Sequence, residues 1–490
     1  MGGDVTPLAH GIGGRQDLPV PLETAIIAAV AALLISFAVL AWSVRRRDAR
    51  TEQSAGVPAT AAATAGAGAR AGTAASTSAS TASSSSSTAA GTTVAEGSQR
   101  RTAVARIGAL VDSRGWRVGL RVVGMLLFCY TAMVAIFGKD LEINPLFGIF
   151  YVWLWVGLVP FSLVFGPAWR AISPVRTINA GLNWLRGDHE GLYPYNEHRV
   201  GYWPAVIGIV AFTWMELVYP HNSYLGPVRL WLAAYVAIML VGGQLWGPRF
   251  YAYADPFEVY SSLIAKLSPW SRDEDGHLVL RSPLANVDTL APRAGLVAVV
   301  ATLFGTIVFD SFRDSVPWLK FTQGDNIVAR HSYLADNLAL ILFPAAVAAF
   351  FCVGTMLTGV GDDLERRRLP VLLAPSLVPI VAGYVVAHYL SYWWEGGQAT
   401  LVQVSDPFSN GGNWFGTADL AVNYFFAYHP TLLANVKVLA VVAGHILGVI
   451  SSHKRAIAVL PRRHMITGQI PLLVTMVGFT VGGLYLLFAA

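Results

Sequence analysis

Hydrophobic residues run along this 490-residue chain in long unbroken blocks, separated by short polar stretches. About 20 apolar residues in a row match the thickness of a hydrocarbon core, and only a helix keeps every backbone hydrogen bond internal there. Ten blocks fit that description: residues 24–44, 118–137, 146–166, 203–219, 230–246, 295–312, 337–359, 371–394, 433–451 and 471–489. The blocks are continuous rather than alternating, which argues against a membrane β-barrel. The pattern predicts an all-α, polytopic membrane protein of about ten transmembrane helices.

Between the first two blocks, residues 54–93 are almost entirely Ala, Ser, Thr and Gly. Such a tract cannot bury enough apolar surface to offset chain entropy, so a disordered linker is expected over residues 45–115. The expected organisation is a polar N-terminal segment (1–23), a tethered first helix (24–44), the linker (45–115) and a nine-helix membrane domain (116–490). Two further loops, 167–202 and 247–293, exceed a simple turn. In the second, Phe257, Tyr260, Leu263, Ile264 and Leu267 recur at helical spacing, as in an interfacial amphipathic helix or a lid packed beneath the bundle.

Charge orients this picture. With the N-terminus outside, 27 of the 34 Lys and Arg residues fall on cytoplasmic segments, leaving seven outside beside 13 of the 29 acids. That asymmetry is the positive-inside pattern and puts both termini on the extracytoplasmic side. The net charge of +5 is therefore a topology signal, and no nucleic-acid partner is expected. Composition agrees with a bilayer as the main partner: 54% apolar residues, 13% charged residues and a mean hydropathy of +0.51. Cys129 and Cys352 both lie inside spans, which leaves no disulfide framework or cysteine zinc site.

Ionisable groups at membrane depth are costly and mark functional sites by default. Here they collect toward the outer side: Glu216 near the end of the fourth block, His221 just beyond it, Asp310 ending the sixth, Asp336 opening the seventh and His388 inside the eighth. These five could converge on one outward-open pocket, although acids near span ends can also snorkel to the interface and a lone helical His can be a packing residue. His445 sits too far from His388 along the membrane normal to share a metal, and Gly444 and Gly448 beside it suit close helix packing. Pro375, Pro379 and Gly383 predict a bent eighth helix. Residues 395–430 are rich in turn formers and aromatics and could cap an outer pocket. Signatures of zinc proteases, phosphate-binding loops and serine-hydrolase elbows are absent from the sequence.

The stretches "AHGIGGRQDLPVPL" near the N-terminus, "HYLSYWWEGGQ" from His388 to Gln398 and "VSDPFSNGGNWFG" from Val404 to Gly416 together resemble a family of bacterial multi-spanning membrane proteins labelled fenitrothion hydrolases. The likeness covers most of the chain outside the linker. It implies a protein of the bacterial inner membrane that hydrolyses organophosphotriester-like, lipophilic substrates, with water displacing a phenol at phosphorus. Such water needs a carboxylate or histidine base, or a divalent metal as cofactor. Glu216 or Asp310 would then be base or ligand, His388 and His221 acid–base groups or ligands, and Asp336 a further metal ligand. A different reading gives the same groups to a transporter or metal-handling protein that binds a metal ion or a proton. His10 adds one more candidate ligand: "PLA" before it is like the end of a secretory signal, and a mature N-terminal His10 could chelate copper through its amine and imidazole. Otherwise the segment is a glycine-rich cap with Arg15 and Asp17 pairing locally.

Overall fold

The computed structural model describes residues 15–55, 102–187, 190–358, 365–460 and 467–488. His10 and most of the linker, residues 56–101, lie outside them. Among the described residues, helices account for nearly all regular structure, and one two-stranded hairpin is the exception.

Among the described residues, eight helices are long and apolar enough to cross a membrane, or nine if the bent pair Pro145–Val156 and Leu158–Phe165 forms one span. In chain order the first elements are α1 (Leu22–Ala55), α2 (Thr102–Val111) and α3 (Arg114–Phe137). α4 (Pro145–Phe147) runs on into a π-helical stretch, Gly148–Val156, and then bends by 40° into α5 (Leu158–Phe165). α2 falls inside the expected linker, and α1 continues past the end expected for it. α1 also packs against the rest of the chain rather than standing apart, burying Leu22, Ala29 and Leu33.

Short helices α6 (Ala168–Ile172) and α7 (Pro174–Arg186) lead to α8 (Trp203–Leu217). At 15 residues α8 is about 22 Å long, short of a full hydrocarbon core. α9 (Leu225–Trp246) follows, then α10 (Pro248–Ala254) and α11 (Pro256–Ile264). Eight of the nine residues of α11 are buried, including Phe257, Glu258 and Tyr260. α11 is thus a plug inserted beneath α5, α6 and α8, not an amphipathic helix lying on an interface. Phe257 and Tyr260 reach the aromatic core around Phe212, Trp231 and Trp155. Two strands, β1 (Trp270–Arg272) and β2 (Leu278–Leu280), form the antiparallel hairpin, and α12 (Pro283–Val287) closes this region.

α13 (Leu296–Arg313) is the central helix, with 14 of its 18 residues buried. α14 (Val316–Gln323), α15 (Ser332–Met356) and α16 (Leu369–Leu373) surround it. The helix break expected from the prolines falls at a 3-10 turn, Ala374–Leu377, before α17 (Val378–Gln403). α17 extends nine residues past the sequence boundary at 394. After α18 (Phe425–Tyr428) come α19 (Pro430–Val459) and α20 (Ile470–Phe488). α17 and α19 cross at glycines: a Cβ on Gly444 would stand 2.6 Å from the Pro379 carbonyl oxygen and 3.2 Å from Gly383 Cα. Small side chains at this crossing let the two backbones touch, as the sequence spacing anticipates.

Candidate functional site

α13 is enclosed by neighbours on all sides, so consecutive residues near its end can both face protein. Asp310 and Ser311 do so, and both meet α17. Asp310 Oδ2 lies 2.8 Å from His388 Nε2 and accepts a 2.7 Å hydrogen bond from the Tyr389 hydroxyl. On the other side of the imidazole, His388 Nδ1 is 3.0 Å from Ser311 Oγ. The Tyr384 hydroxyl donates to Ser311 Oγ at 3.1 Å, with the Gly483 carbonyl of α20 at 3.3 Å as its other acceptor. The result is a continuous line, Tyr389–Asp310–His388–Ser311–Tyr384, and every member is buried. Tyr384 stacks parallel to the His388 ring and Tyr389 meets it edge-on, which fixes the imidazole plane.

Glu216, one residue from the end of α8, joins this group within electrostatic range of Asp310. It is buried, and neither of its carboxylate oxygens has a hydrogen-bond partner. Four phenols stand in electrostatic range of it: Tyr151 from the π-helical stretch, Tyr260 from α11, and Tyr389 and Tyr392 from α17. Tyr151 does not donate to Glu216. Its hydroxyl binds the Asn222 carbonyl at 2.9 Å, and Asn222 Nδ2 donates to the Glu216 backbone carbonyl at 2.6 Å. The loop after α8 is thereby pinned while the carboxylate itself stays unpaired.

Of the five outer groups expected to converge, three do: Glu216, Asp310 and His388. His221 is exposed, with its ring edge-on to Tyr219 and Tyr224. Asp336 faces away toward α14, where Trp318 Nε1 donates to it at 3.0 Å, and its neighbour Asn337 accepts from Trp214. The separation has a simple cause: α15 meets α8 through Asn337, while the Asp336 carboxylate one residue earlier is engaged by Trp318 of α14. Residues 404–424 cap the end of α3 and α17, held by Ser405 contacts to Trp414, Phe415 and Thr417 and by the Lys139 ammonium on the Ser409 carbonyl. His445 is buried, with Nδ1 2.8 Å from the Val441 carbonyl of its own helix and with Nε2 lacking a hydrogen-bond partner, so its imidazole is only half satisfied.

For a metal, the ligand atoms must be mutually close. Among the described residues, the one group of three such atoms within 4.8 Å of one another is Asp273, Asp275 and His277, in the loop of the hairpin. Glu216, Asp310 and His388 do not form such a set, which fits them better to holding a proton than to chelating a divalent ion.

Tyr384, Tyr389, Tyr392, Ser311 and Tyr151 were not singled out from sequence, and Tyr260 was placed only on the apolar face of a loop helix. For Tyr384 and Tyr392 a signal existed: with His388 they recur at four-residue spacing and so share one face of α17. No protein family matches the chain, and no curated protein or solved structure is significantly similar to it.

Proposed function

We propose that this chain is a bacterial inner-membrane protein, with both termini extracytoplasmic, that takes up and passes a proton through Glu216, Asp310 and His388 as part of a transport cycle. The observation that carries this reading is Glu216: a buried carboxylate with no donor to either oxygen. An ionised carboxylate in that setting is costly, so the group is stable as the neutral acid or with a small cation at its oxygens. Beside it, His388 can accept a proton on one ring nitrogen and release one from the other, because each nitrogen already has a partner. Asp310 holds the ring and balances its charge when it is protonated. The hydroxyls of Ser311 and Tyr384 extend the line toward α20. The test is proton uptake by purified protein in liposomes carrying a trapped pH indicator. Glu216→Gln should abolish an uptake that the unaltered chain performs, with no change in folding by circular dichroism.

Hydrolysis of a lipophilic phosphotriester is the second reading. It rests on the resemblance of the motifs and on one observation, the unbroken series Asp310–His388–Ser311. In that reading Ser311 Oγ turns away from His388 Nδ1, which takes a proton from the attacking water while Asp310 holds the ring at Nε2. The bond from phosphorus to the aryl oxygen breaks, and the imidazolium returns the proton to the departing phenolate. Ser311 Oγ already has the Ile307 carbonyl, His388 and Tyr384 around it, so water is the better nucleophile than the serine. Release of a coloured phenol from a chromogenic phosphotriester, lost in His388→Ala and retained in Ser311→Ala, would favour this chemistry over proton transfer alone.

A further inference from the structure

At the arginine-rich end of the bundle, away from the carboxylates, α3, α6, α7 and α10 enclose a cavity of about 260 Å³. Three guanidinium groups line it: Arg121, Arg170 and Arg176. Arg176 is committed to the wall. It pairs with the buried Glu258, donates to the Pro248 carbonyl at 3.1 Å and stacks over the Tyr251 ring. Arg121 and Arg170 have no hydrogen-bond or ion-pair partner among the described residues, and no carboxylate lines the cavity. The floor is neutral and polar: Asn179 and Asn183 are both held by Gln244 Nε2, at 2.5 and 2.7 Å. Ser173, the N-cap of the 13-residue α7, also lies on the lining, with its Oγ accepting from the Arg176 amide and with Pro174, which has no N–H, opening the helix.

The surroundings say what an anion here would belong to. α7 turns its asparagines inward and leaves Trp184 and Leu185 about three-quarters exposed on its other side. Trp116 and Val118 near the start of α3 are also exposed. Exposed tryptophan and leucine beside a basic, polar notch is the composition of the headgroup layer, where aromatic rings settle and phosphates lie.

We propose that this cavity binds the phosphate of an anionic phospholipid, with Arg121 and Arg170 as its charged ligands and the Asn179 and Asn183 side-chain amides as neutral donors. The proposal does not depend on the chemistry assigned to Glu216 and Asp310.

The full chain in mixed detergent–lipid micelles, offered equal amounts of phosphatidylglycerol and phosphatidylcholine, can be examined by native mass spectrometry. Retained phosphatidylglycerol should exceed phosphatidylcholine by roughly five- to thirtyfold, the size expected for one to two arginines at an anionic headgroup. Arg121→Gln with Arg170→Gln should bring the ratio to parity, and Arg121→Lys with Arg170→Lys should keep most of the preference. Parity in the unaltered chain, or an unchanged preference in the glutamine pair, would overturn the proposal. So would millimolar inorganic phosphate raising the melting temperature in pure phosphatidylcholine while phosphatidylglycerol shows no preference, because the site would then be one for free phosphate.

Discussion

Asp310 Oδ2 and His388 Nε2 stand 2.8 Å apart inside the helix bundle, and the residue next to His388, Tyr389, donates to that same oxygen. One carboxylate oxygen therefore orients both an imidazole and a phenol from adjacent positions of α17. Removing the carboxylate charge while keeping its shape, in Asp310→Asn, should cut proton uptake on the order of a hundredfold, the scale of a lost acid–base group. His388→Gln should do the same. Uptake in liposomes measures both, and retention of more than half the activity in either variant would remove the pair from the mechanism.

Asp255 supplies a pH-dependent prediction outside the spans. It caps α11 by accepting from the Phe257 amide, and it also accepts from Trp169 and Tyr235. Burial, with the Glu258 carboxylate adding repulsion, pushes its carboxyl up to about 7, against the lowering effect of those donors. The folded state therefore holds this proton more tightly than the unfolded chain. The stability it contributes is complete below about pH 4 and is lost as pH rises through about 7. Melting temperature should fall across that window, by the equivalent of a few kcal/mol, and Asp255→Asn should flatten the fall.

Arg176 and Glu258 form a pair in which the carboxylate is almost wholly buried on the α11 plug. Arg176→Gln strands that charge and should destabilise the protein by about 3–5 kcal/mol. Adding Glu258→Gln should recover a large part of the loss. Thermal unfolding of the three variants in detergent gives the comparison, and a single mutant as stable as the unaltered chain would show that the plug does not need the pair.

The glycine crossing of α17 and α19 is tested by bulk. A valine at position 444 would push its Cβ into the Pro379 carbonyl, which is backbone and cannot swing aside. Gly444→Val should cost about 1–3 kcal/mol or more, read as a lower melting temperature, whereas a valine at Gly482, which has open space, should be nearly neutral.

These cases also indicate which parts of the molecule could be read from sequence. Apolar runs located each long helix, because the cost of unpaired backbone in lipid leaves few alternatives, but α1, α17 and α19 run on well past the ends of their apolar runs. Gly444 and the prolines before α17 worked for the same reason: their constraint is local. The grouping of Glu216, Asp310 and His388 was readable only as shared depth. Which face each helix turns inward depends on its neighbours, and this is why Asp336 and His221 look equivalent to the others in the sequence yet point elsewhere. The tyrosines were harder still. Tyr260 reaches the centre from a loop, and nothing in its periodicity distinguishes insertion from lying on a surface. Tyr151 arrives there through a π-helical stretch that no propensity pattern announces.

That stretch, Gly148–Val156, has a consequence for how this chain can vary. A π-turn spends one more residue per hydrogen-bonded ring than an α-turn, so the segment behaves as an insertion stored inside a helix. Deleting a single residue there would let it relax to α geometry without breaking the helix. The helical segments on either side would then keep nearly their present facing, and only side chains within the stretch would be re-aimed. The ring of Tyr151 would leave the neighbourhood of Glu216 while the fold around it survived. Length changes of one residue in this segment are thus a ready means of re-aiming the wall of the site, and a single-residue deletion scan through it would separate side chains that serve the carboxylates from those that only fill space.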